Sequence, residues 1–186
     1  MMKRGLNSMS KLFRPSVMRN ISVGDKFPAG ELSLVHFQDG EFSNSRIQSE
    51  DYLKGKTVVI VSYPGAFTPV CTSTHLPEFI ERADEIKSQG VDDIMALAVN
   101  DPWVVKGYAK ALEKGKNLTW IADGLGKLTK DLEFDTDLSA AGLGVRGKRG
   151  TFIVKDGVVT HVNDEESTNY TDIASTKTIL EQVKNQ

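Results

Sequence analysis

Runs of consecutive apolar residues alternate along this chain with segments whose apolar residues recur every three or four positions. Residues 57–62, apolar throughout Val58-Val59-Ile60-Val61, and residues 94–99 read as strands buried on both faces. Residues 118–121 make a shorter one. After the first run, Leu76, Phe79, Ile80, Ala83 and Ile86 share one face of a helix reaching about Gln89. Glu81, Arg82 and Glu85 lie largely opposite, and Gly90 closes it. Asn100-Asp101-Pro102 supplies a cap and a first-turn proline for a helix through Leu112. Residues 125–132 predict a short helix and residues 173–184 a closing amphipathic one. Extended segments at 25–28 and 32–35 lead to Asp39-Gly40, a hairpin turn, and Asp156-Gly157 joins 151–154 to 158–162 in a second hairpin.

The order is strand, helix, strand, helix, strand, short helix, hairpin, helix. Alternation argues for parallel pairing in a layered α/β domain, and the late hairpin adds antiparallel strands. A thioredoxin-like fold accommodates this order, with a mixed central sheet, helices on both faces and an N-terminal extended or hairpin extension. A flavodoxin-like sheet would need another strand–helix alternation where the hairpin stands. The caps Thr68-Pro69 and Asp101-Pro102 directly follow buried strands. They therefore belong at the carboxyl edge of the sheet, where open α/β folds collect ligands.

The 186 residues suit one domain. A formal charge of −2 gives no reason to expect nucleic acid, and no apolar run approaches the roughly 18 residues of a membrane span. Residues 1–22 stand apart from a domain expected over 23–186. Through residue 24 the chain holds Lys3, Arg4, Lys11, Arg14 and Arg19 and no acid, whereas the remainder holds 18 basic and 25 acidic residues. Met2, Leu6, Met9, Phe13 and Val17 form one helical stripe, interspersed with serines. Such a leader resembles an organellar transit peptide, most simply mitochondrial, although Pro15 interrupts a continuous helix. The alternative is a basic tail on a cytoplasmic protein.

One cysteine excludes an intrachain disulfide, a Cys-x-x-Cys pair (Thr74 holds the third position on) and a cysteine-rich metal site. His36 and His161 lack metal-ligand spacing, and the sequence calls for no cofactor. Cys71 follows the strand through Tyr63-Pro64-Gly65-Ala66-Phe67-Thr68-Pro69-Val70. With Thr68 as N-cap and Pro69 as first helical residue, the sulfur enters the first turn, where free N–H groups and the helix dipole favour an anion. The Thr68 hydroxyl would then accept from the Cys71 backbone N–H. Holding a thiol mostly ionised near neutral pH takes about 3 kcal/mol, and a helix end supplies about 0.3–1, at most about 2. A cation must stand close. Arg146, Lys148 and Arg149, ahead of the strand at 151–154, and His75, four residues along the helix, are the candidates. Composition does not choose between them; arginine is the better physical choice, permanently charged and with a planar fork able to hold oxygen.

These residues carry a resemblance. Pro64-Gly65-Ala66-Phe67-Thr68-Pro69-Val70-Cys71 is similar to the peroxiredoxin signature, a proline and a threonine seven and three places before the peroxidatic cysteine. Thr74-His75-Leu76-Pro77, Val99-Asn100-Asp101, Ala122-Asp123-Gly124 and Gly144-Val145-Arg146-Gly147-Lys148-Arg149 resemble the type-five branch. The resemblance runs from about Val23 to the C-terminus and implies a thiol-dependent peroxidase. In that family the cysteine thiolate, here Cys71, attacks the peroxide O–O bond and leaves a sulfenic acid. The residues corresponding to Thr68 and Arg149 orient the peroxide and stabilise developing charge, and that corresponding to Pro64 shields the sulfur. The resemblance selects Arg149 over Arg146 by its distance from Lys155-Asp156-Gly157. Many type-five members carry a resolving cysteine; plausible positions here hold Ala96 and Asp172. This implies a one-cysteine form reduced by an external thiol, glutathione with glutaredoxin or thioredoxin; members of the branch commonly form dimers, so the resemblance also implies a homodimer.

Plainer readings stand beside these. A lone cysteine after a buried strand is commonly a small core residue, Thr68 a simple cap and Pro64 a strand terminator. A cysteine–histidine hydrolase lacks an oxyanion-hole motif, which leaves His75 a local structural hydrogen bond. Arg146 and Lys148 would ordinarily be solvated loop charges, and Trp103 and Trp120 packing residues. The functional alternatives to a peroxidase are a peroxide sensor passing Cys71 oxidation to a partner protein and a catalytically silent thioredoxin-fold module.

Overall fold

A computed structural model describes residues 20–112 and 115–185; all but the end of the expected leader lies outside them. Strands β1 (Glu31–Gln38) and β2 (Glu41–Gln48) form the first hairpin. Its turn residues Asp39 and Gly40 have φ of 53° and 87°, the left-handed pair whose twist matches the flanking strands. A five-residue helix α1 (Ser49–Leu53) follows, too short to leave a helical period in the sequence. Burial of Leu53 and the Ser49 hydroxyl, which donates to the Pro28 carbonyl at 2.8 Å, hold it in place.

Strands β3 (Thr57–Ser62), β4 (Asp93–Ala98) and β5 (Thr119–Ala122) pair in parallel, and β8 (Gly150–Lys155) and β9 (Val158–Asp164) add antiparallel strands beyond β3. The sheet order β2-β1-β5-β4-β3-β8-β9 is a thioredoxin-like mixed sheet with the N-terminal hairpin on one edge. β6 (Asp135–Asp137) and β7 (Val145–Gly147) form a separate small ribbon. Period-two alternation divides the sheet into two cores. Val59, Val61, Ile94, Ala96 and Ile153 point to one face, covered by α2 (Leu76–Glu81), α3 (Ala83–Lys87), α4 (Pro102–Ala111) and α6 (Thr176–Lys184). Val58, Ile60, Met95, Leu97, Phe152 and Val154 point to the other, under α1, α5 (Lys127–Asp131) and the incoming Ile21 and Phe27.

The helix expected after β3 is interrupted twice. Past Pro69 and Val70 it widens into a π turn, Cys71–His75, in which the Leu76 N–H donates to the Cys71 carbonyl five residues back. It breaks again at Arg82 (φ −100°, ψ 12°) before α3, and Gly90 ends the segment at φ 89°. The closing helix starts at Thr176 rather than residue 173, because Ser175 caps it by accepting from the Thr178 N–H.

Candidate active site

The loops leaving β3 and β4 meet at the carboxyl edge, where the Ala66 N–H donates to Asn100 Oδ1 at 3.0 Å. Asp101 caps α4 as its sequence predicts, one carboxylate oxygen accepting from the Trp103 and Val104 N–H groups at 2.9 and 3.0 Å. Thr68 does not repeat this. Its hydroxyl donates to the Gly65 carbonyl at 2.9 Å, which corrects the expected bond from the Cys71 N–H. The tight 65–68 turn, with Phe67 at φ 63°, aims the hydroxyl back into the loop, and the widened turn after it has its own backbone bond, Thr72 N–H to Thr68 carbonyl at 3.0 Å.

Cys71 has no exposed surface and belongs to the helix-covered core. Arg149 reaches it from the turn before β8. The β3–β8 register pairs Val61 with Thr151 and Ser62 with Gly150, so Tyr63 and Arg149 come next, on the same face. Nη1 and Nη2 of Arg149 each donate to Cys71 Sγ at 3.5 Å. Nη1 also donates to His75 Nδ1 at 2.8 Å, and Nε and Nη2 donate to the Thr168 carbonyl at 3.1 and 3.0 Å. All five guanidinium donors are thus engaged, in a residue only 2% exposed.

His75 can accept only as a neutral ring. Burial, reinforced by the adjacent guanidinium, lowers its pKa to about 3. The Tyr170 ring covers the pair, 4.8 Å from the His75 ring and 5.9 Å from the guanidinium carbon. Its hydroxyl is bonded to Glu78. The buried Glu165 carboxylate holds the loop that presents Thr168, accepting from the Thr171 and Ala174 N–H groups and the Thr171 hydroxyl.

The other candidates divide by position. Pro64 is buried in the loop between Tyr63 and Gly65. Arg146 is pinned at the mouth, donating from Nε to the Leu143 carbonyl and from Nη1 to the Val99 carbonyl, away from the sulfur. Lys148 pairs with Asp164 at 3.2 Å instead of being a free loop charge. Ala96 is buried in β4 and Asp172 exposed on the β9–α6 loop. The Thr168 carbonyl and Tyr170 escape sequence reading, since a backbone acceptor has no side-chain signal and Tyr170 lies 99 positions from Cys71 along the chain. The four-residue spacing of His75 signalled proximity to Cys71 but not its bond to Arg149.

A redoxin family profile matches residues 22–180. Peroxiredoxin-2C of Oryza sativa is 41% identical over 154 residues, covering 83% of this chain and 93% of that protein. This chain is a peroxiredoxin. The crystal structure of reduced Prx3 in complex with H2O2 from Vibrio vulnificus is similar with a TM-score of 0.78 at 32% identity, over 88% of this chain and 96% of that one. The 1-Cys peroxiredoxin of Plasmodium falciparum superposes with a TM-score of 0.77 at 26% identity, over 88% of this chain and 99% of that one. Curated relatives include proteins named for the chloroplast and for the mitochondrion. As a peroxiredoxin the chain is a thiol peroxidase, an antioxidant enzyme that consumes peroxide at the expense of a thiol.

Proposed function

We propose that this peroxiredoxin is a one-cysteine member of the type-five branch that reduces hydrogen peroxide and alkyl hydroperoxides through a Cys71 sulfenic acid. One observation carries the reading. Among the described residues no carboxylate pairs with the buried Arg149 guanidinium, while two of its donors converge on Sγ. A buried cation without a counter-charge is costly; a thiolate at Cys71 supplies that charge in a water-excluded site.

The thiolate attacks one peroxide oxygen, an S–O bond forms as the O–O bond breaks, and the sulfur loses two electrons. The departing oxygen takes a proton and leaves as water or an alcohol. Because the Thr68 proton is committed to the Gly65 carbonyl, its oxygen serves as an acceptor that orients the peroxide O–H. Arg149 donors stabilise the negative charge developing on the departing oxygen, and Pro64 keeps water from the product. A first external thiol displaces the sulfenic oxygen as water, forming a mixed disulfide. A second releases the Cys71 thiol and the reductant's disulfide. Glutathione with glutaredoxin, or thioredoxin, fits that role, since no second cysteine exists in the chain.

Residues 1–22 act as a mitochondrial transit peptide ahead of a domain over 23–186. A second copy of the chain covers the carboxyl edge, where Phe67, Trp103 and Leu125 are 57%, 75% and 91% exposed on two loops and the first turn of α4. The test is peroxide consumption with each reductant in turn, beside Cys71→Ser. A sulfenic acid trapped on Cys71 by a carbon nucleophile, with turnover lost in the variant, supports the reading; unaltered turnover in Cys71→Ser overturns it.

A further inference from the structure

Two buried side-chain polar atoms lack any hydrogen-bond partner among the described residues, Tyr63 Oη and His75 Nε2. Both belong to residues at the Cys71 site. Nδ1 of His75 is engaged by Arg149, so that ring has a structural function. The Tyr63 hydroxyl has none.

Tyr63 has no exposed surface, and its phenol lies in the same core as Cys71. Its ring is wedged against Tyr108 at 5.9 Å and Trp120 at 6.4 Å, so it cannot swing outward to find water. Burying an unpaired hydroxyl costs free energy that phenylalanine at the same position would avoid. The β3–β8 register sets this side chain beside Arg149 on the sulfur-facing side of the sheet. Burial raises the phenol's pKa well above its usual value, and the neighbouring Tyr108 and Cys71 add to the effect, which leaves it a donor and never an anion at working pH. On the far side of the cluster, the Tyr108 hydroxyl has a partner, Thr72 Oγ1 at 3.2 Å. Tyr52 and Tyr170 are likewise bonded, to Asp93 and Glu78, so among the tyrosine hydroxyls the missing partner is particular to Tyr63.

We propose that the Tyr63 hydroxyl is a hydrogen-bond donor reserved for oxidised Cys71. The phenol makes no hydrogen bond in the thiol form, and an oxygen added to the sulfur brings a new acceptor into the core that the two residues share. The bond disperses charge on the sulfenate and lowers its nucleophilicity. It thereby slows the competing step in which a sulfenate sulfur attacks a second peroxide, gaining one oxygen and releasing water, to give the sulfinate. Tyr63 takes no part in the first oxidation. The inference rests on the sulfenic acid reading above and names the residue that preserves that intermediate for the external thiol.

The test compares wild type with Tyr63→Phe and Tyr63→Leu, following sulfenate and sulfinate by mass spectrometry under rising hydrogen peroxide. The rate of the first oxidation, read in a single turnover, should be unchanged in Tyr63→Phe. Sulfinate formation should be faster by about tenfold, the effect of losing one hydrogen bond to a charged group. Thermal unfolding of the reduced form should show Tyr63→Phe at least as stable as wild type, while Tyr63→Leu reports the loss of ring packing separately. Equal sulfinate formation in wild type and Tyr63→Phe overturns the inference and leaves the peroxidase reading intact. Absence of any sulfenate in wild type overturns both.

Discussion

The two strand-to-helix junctions at the carboxyl edge are written with the same device, a polar residue and a proline directly after a buried strand, yet they fold differently. Asp101 commits one carboxylate oxygen to two N–H groups of α4. Thr68 leaves the helix start uncapped by its side chain and turns its proton to Gly65, while the helix it opens loosens into a π turn at Cys71. A regular cap stabilises a helix by about 1 kcal/mol. Forgoing it at one junction turns the Thr68 hydroxyl into the loop and leaves Cys71 at the start of a widened turn. Widened π turns recur at functional sites for the same reason, that they re-aim a side chain at some cost to the helix.

Four experiments sharpen this contrast. The largest effect belongs to Cys71→Ser, which should abolish peroxide consumption while the circular dichroism spectrum stays native. Retained consumption would detach the open junction from the chemistry. Arg149→Lys keeps a charge but loses the fork that serves sulfur, imidazole and carbonyl together. Single-turnover oxidation should slow by about a hundredfold to a thousandfold, the range for removing a preorganised donor. A change under threefold would mean that charge alone suffices.

The contrast itself is tested by crossing the junctions. Thr68→Val should slow peroxide reduction by about tenfold to a hundredfold, the kinetic equivalent of one hydrogen bond, with little change in the urea midpoint. Thr68→Ser should restore the rate. Asp101→Ala should do the reverse, costing about 1 kcal/mol of stability with the rate kept. If both substitutions act mainly on stability, the two junctions are alike after all.

The fourth experiment reads a pH dependence. His75 binds its proton with a pKa near 6.5 when unfolded and about 3 when folded. Between those values the unfolded state holds more protons, so this residue's contribution to stability is full above about 6.5 and declines as pH falls toward 3. Urea titrations of wild type should lose stability through that window more steeply than those of His75→Gln. Parallel slopes would assign the acid sensitivity to other groups.

The β3, β4 and β8–β9 segments, the Asp-Gly hairpins and the Asp101 cap were legible because each is decided within a few neighbouring residues. Apolar runs must be buried, Asp-Gly accepts positive φ, and Asp-Pro starts a helix. Helix α1 escaped notice through brevity. The π turn has no sequence period of its own. At the site, the octapeptide 64–71 indicated a reactive thiol and the energy of a helix end required a cation, but the residues alone left Arg146, Lys148, Arg149 and His75 open.

Sequence by itself determined the alternation of elements, the single thiol and the demand for a positive charge beside it. Family resemblance had already selected Arg149; only the tertiary structure decided how it arrives, where the Thr68 proton goes and which ring holds the guanidinium. Arg149 stands 78 positions from Cys71 and reaches it because β8 pairs antiparallel with β3 in one register. Local conformational preferences act over a turn or a strand, whereas a partner at that separation is chosen by sheet register and core packing, which the chain settles collectively.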